Sequence, residues 1–335
     1  MIALTLVAAL AAPLSTQPPR AVVELGVGGG LGAVADTPTW LVRPWFGVAG
    51  FGLDLSLQAP LRLSLDERTL RERDWDETAD LGRVVRFVRL GQAVTVGSLV
   101  DVTLGHGTLV RRYHNGVDDD HHRLGVYARL PPDLTGWPVG LEAFVDHVLA
   151  PPVLGARAWR GLAEGHVELG GTLALDTRRP TRLTGGQDAV AWPNAEFGAL
   201  LGAGLDVGWT PVLGQPWSVT ATSDLNLRNA GLGWHLGARG EVPLAGAWRL
   251  QAGAELILAA PEYDWAAFDT GWLVDRWRFA GDRARLDTGA VGGRLFLVGR
   301  FHERAEVGLE YADANAPGRR DLSLWARLPF ERALV

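Results

Sequence analysis

The chain contains no cysteine and, although it holds 32 basic residues, no lysine. The absence of cysteine excludes disulfides, a thiolate nucleophile and cysteine-ligated zinc or iron–sulfur centres. The formal net charge is -6 and the arginines form no basic cluster, so nucleic acid is not predicted as a partner. Long hydrophobic runs are also missing after the first residues, so no transmembrane helix is predicted.

The chain does begin with a short apolar run, Ile2–Leu14, which is about as long as the hydrophobic region of a signal peptide. Alanines at the end of the run offer small residues for cleavage. The run departs from the usual signal pattern because no basic residue precedes Arg20. We predict a signal peptide over residues 1–20 and a single domain over residues 21–335.

Apolar residues alternate with other residues along most of the remaining chain, which is the period of a β-strand with one apolar face. This alternation predicts strands at Val23–Ala33, Phe51–Leu57, Leu81–Leu90, Val94–Val100, Leu124–Leu130, Val139–Val145, Val153–Trp159, Val167–Leu175, Phe197–Trp209, Trp217–Arg228, Leu232–Glu241, Trp248–Leu258, Val291–Phe301, Val307–Tyr311 and Leu322–Phe330. The prediction is about fourteen strands, with a range of about 12–16 because strand boundaries are hard to place.

Two features favour a membrane barrel over a soluble β-sandwich. The polar face of the strands is rich in glycine, serine and threonine, with scattered charges of both signs. Tryptophans, whose rings prefer the bilayer interface, lie near strand ends at Trp40, Trp45, Trp209, Trp217, Trp248 and Trp272. A closed barrel also satisfies every backbone donor and acceptor in hydrocarbon. The predicted fold class is therefore all-β, an antiparallel up-and-down transmembrane β-barrel.

The sequence resembles bacterial outer-membrane β-barrels of the porin-like kind, of no particular subfamily. The signal-like start, the amphipathic strands and the final strand carry this resemblance. In the final strand the apolar residues alternate up to an aromatic, at Leu322, Leu324, Ala326, Leu328 and Phe330. Pro329 and the trailing "ERALV" depart from the family pattern. The resemblance implies a place in the outer membrane of a Gram-negative bacterium, with membrane lipid and the barrel-assembly machinery as partners.

Two motifs typical of enzymes do not fit their surroundings. Gly28, Gly30 and Ala33 have the spacing of a dinucleotide-binding turn, with Asp54 further on, but no helical pattern follows them. Serine hydrolase chemistry has no G-x-S-x-G elbow to use. No catalytic residue, cofactor or metal ion is predicted.

The segment "TLGHGTLVRRYHNGVDDDHHRLG", residues 103–125, holds four of the chain's 8 histidines. It belongs to a connection over residues 99–123 that is too long and too apolar for a free turn. Gly105 and Gly107 permit tight turns around His106. We predict that this loop folds at or into the lumen.

The charges of this loop have four interpretations. Arginines facing aspartates across a constriction would select solutes by charge. Asp118, Asp119 and Asp120 could hold a hard cation such as Ca²⁺, although the adjacent spacing is unlike an EF-hand. His121 and His122 with an aspartate could perform acid–base chemistry. The fourth interpretation is a solvated polar loop.

The parity of the strands places further charges on the polar face: Glu24, Asp54, Arg129, Glu142, Asp146, Glu168, Glu196, Asp206, Asp224, Arg239, Glu241, Arg249, Glu255, Glu306 and Glu310. They require water or partners of opposite charge. Because carboxylates dominate this set, an open pore is predicted to prefer cations, and mutual salt bridges are the alternative. A second long connection, Ala259–Asp287, is rich in aromatics and is predicted to form a rim or a packed loop.

The sequence thus favours a porin-like channel or transporter for small solutes, and it leaves oligomerisation open. The predicted constriction residues are His106, Arg111, Arg112, Asp118, Asp119, Asp120, His121, His122, Arg123, Glu142, Glu168, Arg239 and Arg249. Three alternatives remain: an outer-membrane hydrolase acting on lipid or peptide through histidine and aspartate, a closed structural barrel, and a soluble secreted all-β protein.

Overall fold

The computed structural model describes residues 3–6, 21–34, 37–66, 68–76, 78–91, 93–116, 123–148, 152–183, 195–228, 231–244, 247–263, 268, 289–301, 305–315 and 320–327. Strands make up most of these residues. They are β1 (Ala3–Leu6), β2 (Val22–Val34), β3 (Thr37–Gly50), β4 (Leu53–Gln58), β5 (Leu61–Ser64), β6 (Val85–Leu90), β7 (Val94–Gly97), β8 (Gly125–Leu130) and β9 (Gly140–Val145). The second half adds β10 (Val153–Leu162), β11 (Val167–Leu183), β12 (Ala195–Trp209), β13 (Ser218–Arg228), β14 (Gly231–Pro243), β15 (Trp248–Ala259), β16 (Ala290–Phe301), β17 (Ala305–Ala314) and β18 (Arg320–Arg327).

Helical structure among the described residues is short. The α-helix α1 spans Pro132–Thr135, and 3₁₀ turns lie at Glu72–Asp74, Thr78–Val84 and Ala163–Gly165. In the part of the chain that the structure describes, no helix has the length and apolar character needed to cross a membrane.

The strands form an antiparallel up-and-down sheet, which confirms the predicted all-β class. Strand β1 pairs with β2, β2 with β3, β3 with both β4 and β5, and β4 with β6. From β6 onward each strand pairs with the next, as far as β18. The strand order therefore follows the chain order, which gives short, local connections.

The predicted count of about fourteen strands is wrong, because the described residues already form seventeen strands from β2 onward. Strands β4 and β5 lie along successive parts of β3, and Ala59 N donates to Pro44 O at 3.0 Å between them. Since these two strands make one pass along β3, the seventeen strands make sixteen successive passes.

The missed strands have a clear cause. Strand β3 contains Pro38 and Pro44, which donate no hydrogen bond and weaken a strand pattern. Strand β5 has only four residues. The predicted strand Leu81–Leu90 is also too long, because a 3₁₀ turn over Thr78–Val84 occupies its first four residues.

The distribution of apolar and charged side chains in the sheet is the opposite of that in a soluble protein. Large apolar residues point outward and are exposed, such as Leu205 at 70 %, whereas Asp224 and His235 point inward and are exposed by only 1 %. A groove of about 340 Å³ on the outer face is lined by apolar residues that include Leu232, Trp234 and Val291. An apolar outer face with a polar interior suits a hydrocarbon surrounding.

Candidate functional site

The described first part of the connection between β7 and β8, residues 98–116, lies inside the curved sheet and is called the inward segment here. Its apolar side chains are almost fully buried: Leu99, Leu104, Leu109, Val110 and Tyr113 are exposed by 0–2 %. They form one hydrophobic cluster with inward-facing residues of the sheet, which is called the wall below, namely Phe144, Val153, Ala174 and Leu200, and with Phe268. The interior of the sheet is therefore packed on this side.

The tip of the inward segment turns on two glycines. Gly105 and Gly107 have φ values of +57° and +80°, which favour glycine. Gly107 N donates to Leu104 O at 3.0 Å and closes the turn. A Cβ at Gly105 would lie 2.6 Å from Arg157 Nε, so the turn also approaches the wall too closely for a side chain.

Strand β13 anchors this tip through polar contacts. His106 Nδ1 and Thr108 Oγ1 each lie 2.8 Å from a carboxylate oxygen of Asp224. Arg228, which is 1 % exposed, donates from Nη2 to the carbonyl oxygens of Thr108 and Leu109 at 2.9 and 3.1 Å. The anchors on β13 and the hydrophobic cluster on β9–β12 hold the segment against one continuous stretch of the wall.

His106 also lies near the carboxylates of Glu168 and Asp206, and one ligand atom from each residue lies within 4.8 Å of the others. Arg157 occupies the space between the two carboxylates, with Nη2 at 2.7 Å from Glu168 and 2.6 Å from Asp206. The guanidinium already bonds to both carboxylates, where a cation would bind, so Arg157, Glu168 and Asp206 form a salt bridge in the wall.

A cavity of about 290 Å³ lies between the inward segment and the wall formed by β13–β18. The inward segment contributes Asp101, Arg111 and Arg112 to its lining, besides His106 and two threonines. The wall contributes Arg239, Glu255, Arg300 and Glu306, with Gln251, Phe296 and Trp325 among the uncharged residues. Both sides of the cavity therefore carry charges of both signs.

Most of these charges are paired. Arg111 donates to Glu310, and burial together with the neighbouring Arg294 lowers the pKa of the Arg111 guanidinium from its ordinary value. Arg112 Nε lies 2.9 Å from Asp101, and its guanidinium carbon lies 3.5 Å from the centre of the Trp325 ring. The lining holds four arginines and three carboxylates, so it lacks the carboxylate excess on which the predicted cation preference depends.

A second connection, following β15, also enters the interior. Tyr263 Oη lies 2.7 Å from His235 Nε2, and His235 Nδ1 is hydrogen-bonded to Glu255. The backbone oxygen of Phe268 accepts from Arg111 N at 3.2 Å, so the two interior connections touch. Tyr263 and Phe268 are exposed by 1 % and 0 %, which makes this part of the Ala259–Asp287 connection a packed loop.

Gly233→Ala is expected to displace this second connection. A Cβ at Gly233 would lie 2.3 Å from Tyr263 Cζ, so the ring must leave its place against β14 and lose its bond to His235. Overpacking of this kind costs about 1–3 kcal/mol. Urea unfolding in detergent measures the loss.

Gly171→Ala is the matched control, because its Cβ would meet Leu205 at an ordinary 3.6 Å. A Gly233→Ala variant as stable as this control would contradict the placement of Tyr263.

The remaining predicted constriction residues lie apart from the cavity. Arg123 Nη1 lies 2.9 Å from Asp146, and burial raises the pKa of the Asp146 carboxyl. The other three pair with residues of the wall or rim: Glu142 with Arg129 at 3.2 Å, Glu168 with Arg157 at 2.7 Å, and Arg249 with Glu241 at 2.9 Å. Asp118, Asp119, Asp120, His121 and His122 lie outside the described residues, so the calcium and acid–base hypotheses stay predictions.

The sequence interpretation missed the inward arginines Arg157, Arg228, Arg294 and Arg300. Each has the inward parity of its strand, and Glu255 and Glu306 contact two of them, at 2.9 Å to Arg294 and 3.0 Å to Arg300. Alternation along β10 and β16 could have found three of the four. Asn115 was also missed: its side chain accepts from Leu99 N and donates to Asp146 O, both at 2.8 Å, and so ties the end of the inward segment.

The chain matches no protein-family model and no curated protein sequence. Among solved structures it is similar to a loop-deletion mutant of OmpT, an outer membrane protein of Vibrio cholerae, at 12 % identity and a TM-score of 0.44, over 92 % of this chain and 99 % of that one. It is similar to the outer membrane channel DcaP of Acinetobacter baumannii at 11 % identity and a TM-score of 0.38, over 95 % and 97 % of the chains. A porin structure is similar at 10 % identity and a TM-score of 0.39, over 92 % and 99 %.

Proposed function

We propose that the chain is an outer-membrane β-barrel channel through which small polar solutes pass beside the inward segment. The observation that carries this proposal is the inverted distribution of side chains. Leucines such as Leu173 and Leu205 are exposed by 57 % and 70 %, whereas Arg228 and Asp224 are each exposed by 1 %. Exposed leucines are stable against lipid, and interior charges are stable against partners or water.

Pairing of β18 with β2 would close the sheet into a barrel and remove both exposed edges, as hydrocarbon requires. Strand β3 occupies one edge of β2, and β1, which lies within the predicted signal peptide, occupies the other. Removal of residues 1–20 would free that second edge for β18. The sixteen passes along the sheet are an even number, as in the barrels of bacterial outer membranes.

The inward segment would set the width and the charge of the passage. It fills one side of the interior with its hydrophobic cluster and leaves the cavity of about 290 Å³ on the other side. Charged rings at such a constriction select solutes by sign and dipole. Because four arginines and three carboxylates line the cavity, we expect a weak preference for anions rather than cations.

Single-channel recording tests this proposal. The refolded protein is inserted into a planar bilayer with a potassium chloride gradient across it. Discrete conductance steps are expected, with a reversal potential displaced slightly toward that of chloride. A reversal potential near that of potassium would contradict the assigned charge of the constriction.

A closed structural barrel is the second candidate, and the interior packing favours it. Tyr113, Val110 and Phe268 are fully buried and fill the space next to the wall. Insertion into the bilayer without any conductance steps would contradict the channel and support the closed structural barrel. Membrane lipid, the assembly machinery and other copies of the chain remain proposed partners.

A further inference from the structure

We propose that the cavity binds the carboxylate of a small organic anion, with Arg239 as its charged contact. This inference rests on the proposed function and names the class of solute. Two observations support it: three of the four cavity arginines are already paired with carboxylates, and part of the cavity lining is uncharged.

Three of the four cavity arginines have carboxylate partners. Arg111 binds Glu310, Arg112 lies 2.9 Å from Asp101, and Arg300 Nε lies 3.0 Å from Glu306. The acidic residues of the lining are therefore largely neutralised by their own arginines. One arginine of the lining has no carboxylate partner among these pairs.

That arginine is Arg239 on β14. Within the described ranges, no hydrogen bond or ion pair engages its guanidinium. Three carboxylates influence it electrostatically, namely Glu168, Asp224 and Glu241. Each is bonded to another group: Glu168 to Arg157, Asp224 to His106 and Thr108, and Glu241 to Arg249. Its cross-strand neighbours are Thr220 on β13 and Gly253 on β15, which bring no charge. The guanidinium thus offers its donors to the cavity.

The uncharged lining of the cavity favours an anion with an apolar or aromatic body. Phe296, Val298 and Trp325 line the same cavity, and the guanidinium of Arg112 stacks on the Trp325 ring at 3.5 Å. The volume of about 290 Å³ lies at the small end of ligand pockets, roughly 300–1,000 Å³. An arginine fork matches a carboxylate in two parallel hydrogen bonds. A monocarboxylate with one ring fits this chemistry.

Calorimetric titration of the detergent-folded protein with benzoate tests the site. Saturable binding is expected for the wild-type protein. Arg239→Gln is expected to weaken it by about ten- to a hundredfold, the loss for one charge-assisted contact. Arg160→Gln is the matched control, because Arg160 is exposed on the outward side of β10. The affinity of this variant for benzoate should equal that of the wild type.

Benzyl alcohol separates charge recognition from partition of a ring into the cavity. The wild-type protein is expected to bind this neutral analogue far more weakly than benzoate. Equal affinity for the two probes would overturn the proposal, as would unchanged benzoate affinity in Arg239→Gln. If that variant does not fold, two tests remain. One is Arg239→Lys, which keeps the charge, and the other is the comparison of benzoate with benzyl alcohol on the wild-type protein. Binding at equilibrium needs no conduction, so a barrel that does not conduct leaves this result intact.

Discussion

Leu109→Arg is expected to expel the tip of the inward segment from the interior and to raise single-channel conductance. Leu109 is 2 % exposed, and its Cδ1 lies 2.8 Å from where a Cβ of Gly202 would be. An arginine there has no room and faces Arg228, whose Nη2 already binds Leu109 O at 3.1 Å. The change removes about 1.5–3 kcal/mol of apolar burial. It also adds the larger cost of an unpaired buried charge.

Whether the segment is expelled depends on whether these two costs exceed the free energy that the polar anchors contribute. The polar anchors at Asp224 and Arg228 supply four hydrogen bonds, each worth about 1.5–3 kcal/mol when one partner is charged. Two of the four come from Arg228, the residue that the new arginine would repel. The sheet itself does not depend on the segment, because its strands pair with one another. The sheet should therefore stay folded while the space inside it opens.

Two measurements check this expectation. Conductance should rise in planar bilayers, and trypsin should cleave at Arg111 and Arg112, which the wild type shields. Leu109→Met keeps volume and apolarity and serves as the control, with wild-type conductance and resistance to trypsin. A Leu109→Arg protein that keeps both wild-type properties would contradict the buried placement of Leu109. One that trypsin cleaves but that conducts like the wild type would show that the inward segment does not narrow the passage.

The sequence predicts the long strands well because each has a period of two that a single face imposes. From β12 to β15 the apolar residues alternate with one interruption, at Ser223, and the structure exposes Leu205 and Leu225 while it buries Asp224. Where the pattern is broken, the prediction fails. Pro38 and Pro44 conceal β3, although β2 pairs along its whole length.

The candidate site is less predictable because its contacts are not local. His106 and Asp224 are 118 residues apart, and no periodicity relates them. Parity assigned Asp224 to the interior but could not show that its carboxylate holds the inward segment. The predicted cation preference overlooked arginines at strand positions such as Arg300, which pairs with Glu306 at 3.0 Å and offsets the carboxylates.

Leu205→Arg is expected to destabilise the barrel by about 2–4 kcal/mol, the cost of an arginine near the middle of a bilayer. Leu205 is 70 % exposed and lies opposite Gly171 on β11 and Leu225 on β13. It is four residues from Trp209, which is about 13 Å along a strand and places it well below the interface. A soluble sheet would accept the same change within about 0.5 kcal/mol, since an exposed arginine is then simply hydrated.

Leu244→Arg is the matched control for depth. Leu244 is 48 % exposed and lies where β14 leads into β15, with its N–H bonded to Trp248 O at 2.8 Å. At that rim an arginine costs about 0–1 kcal/mol in a barrel. Urea unfolding in lipid vesicles measures both variants. A large loss for Leu205→Arg beside a small one for Leu244→Arg requires a depth-dependent apolar surrounding, which only a membrane supplies. Equal, small losses would instead make the exposed leucines a surface for another protein chain.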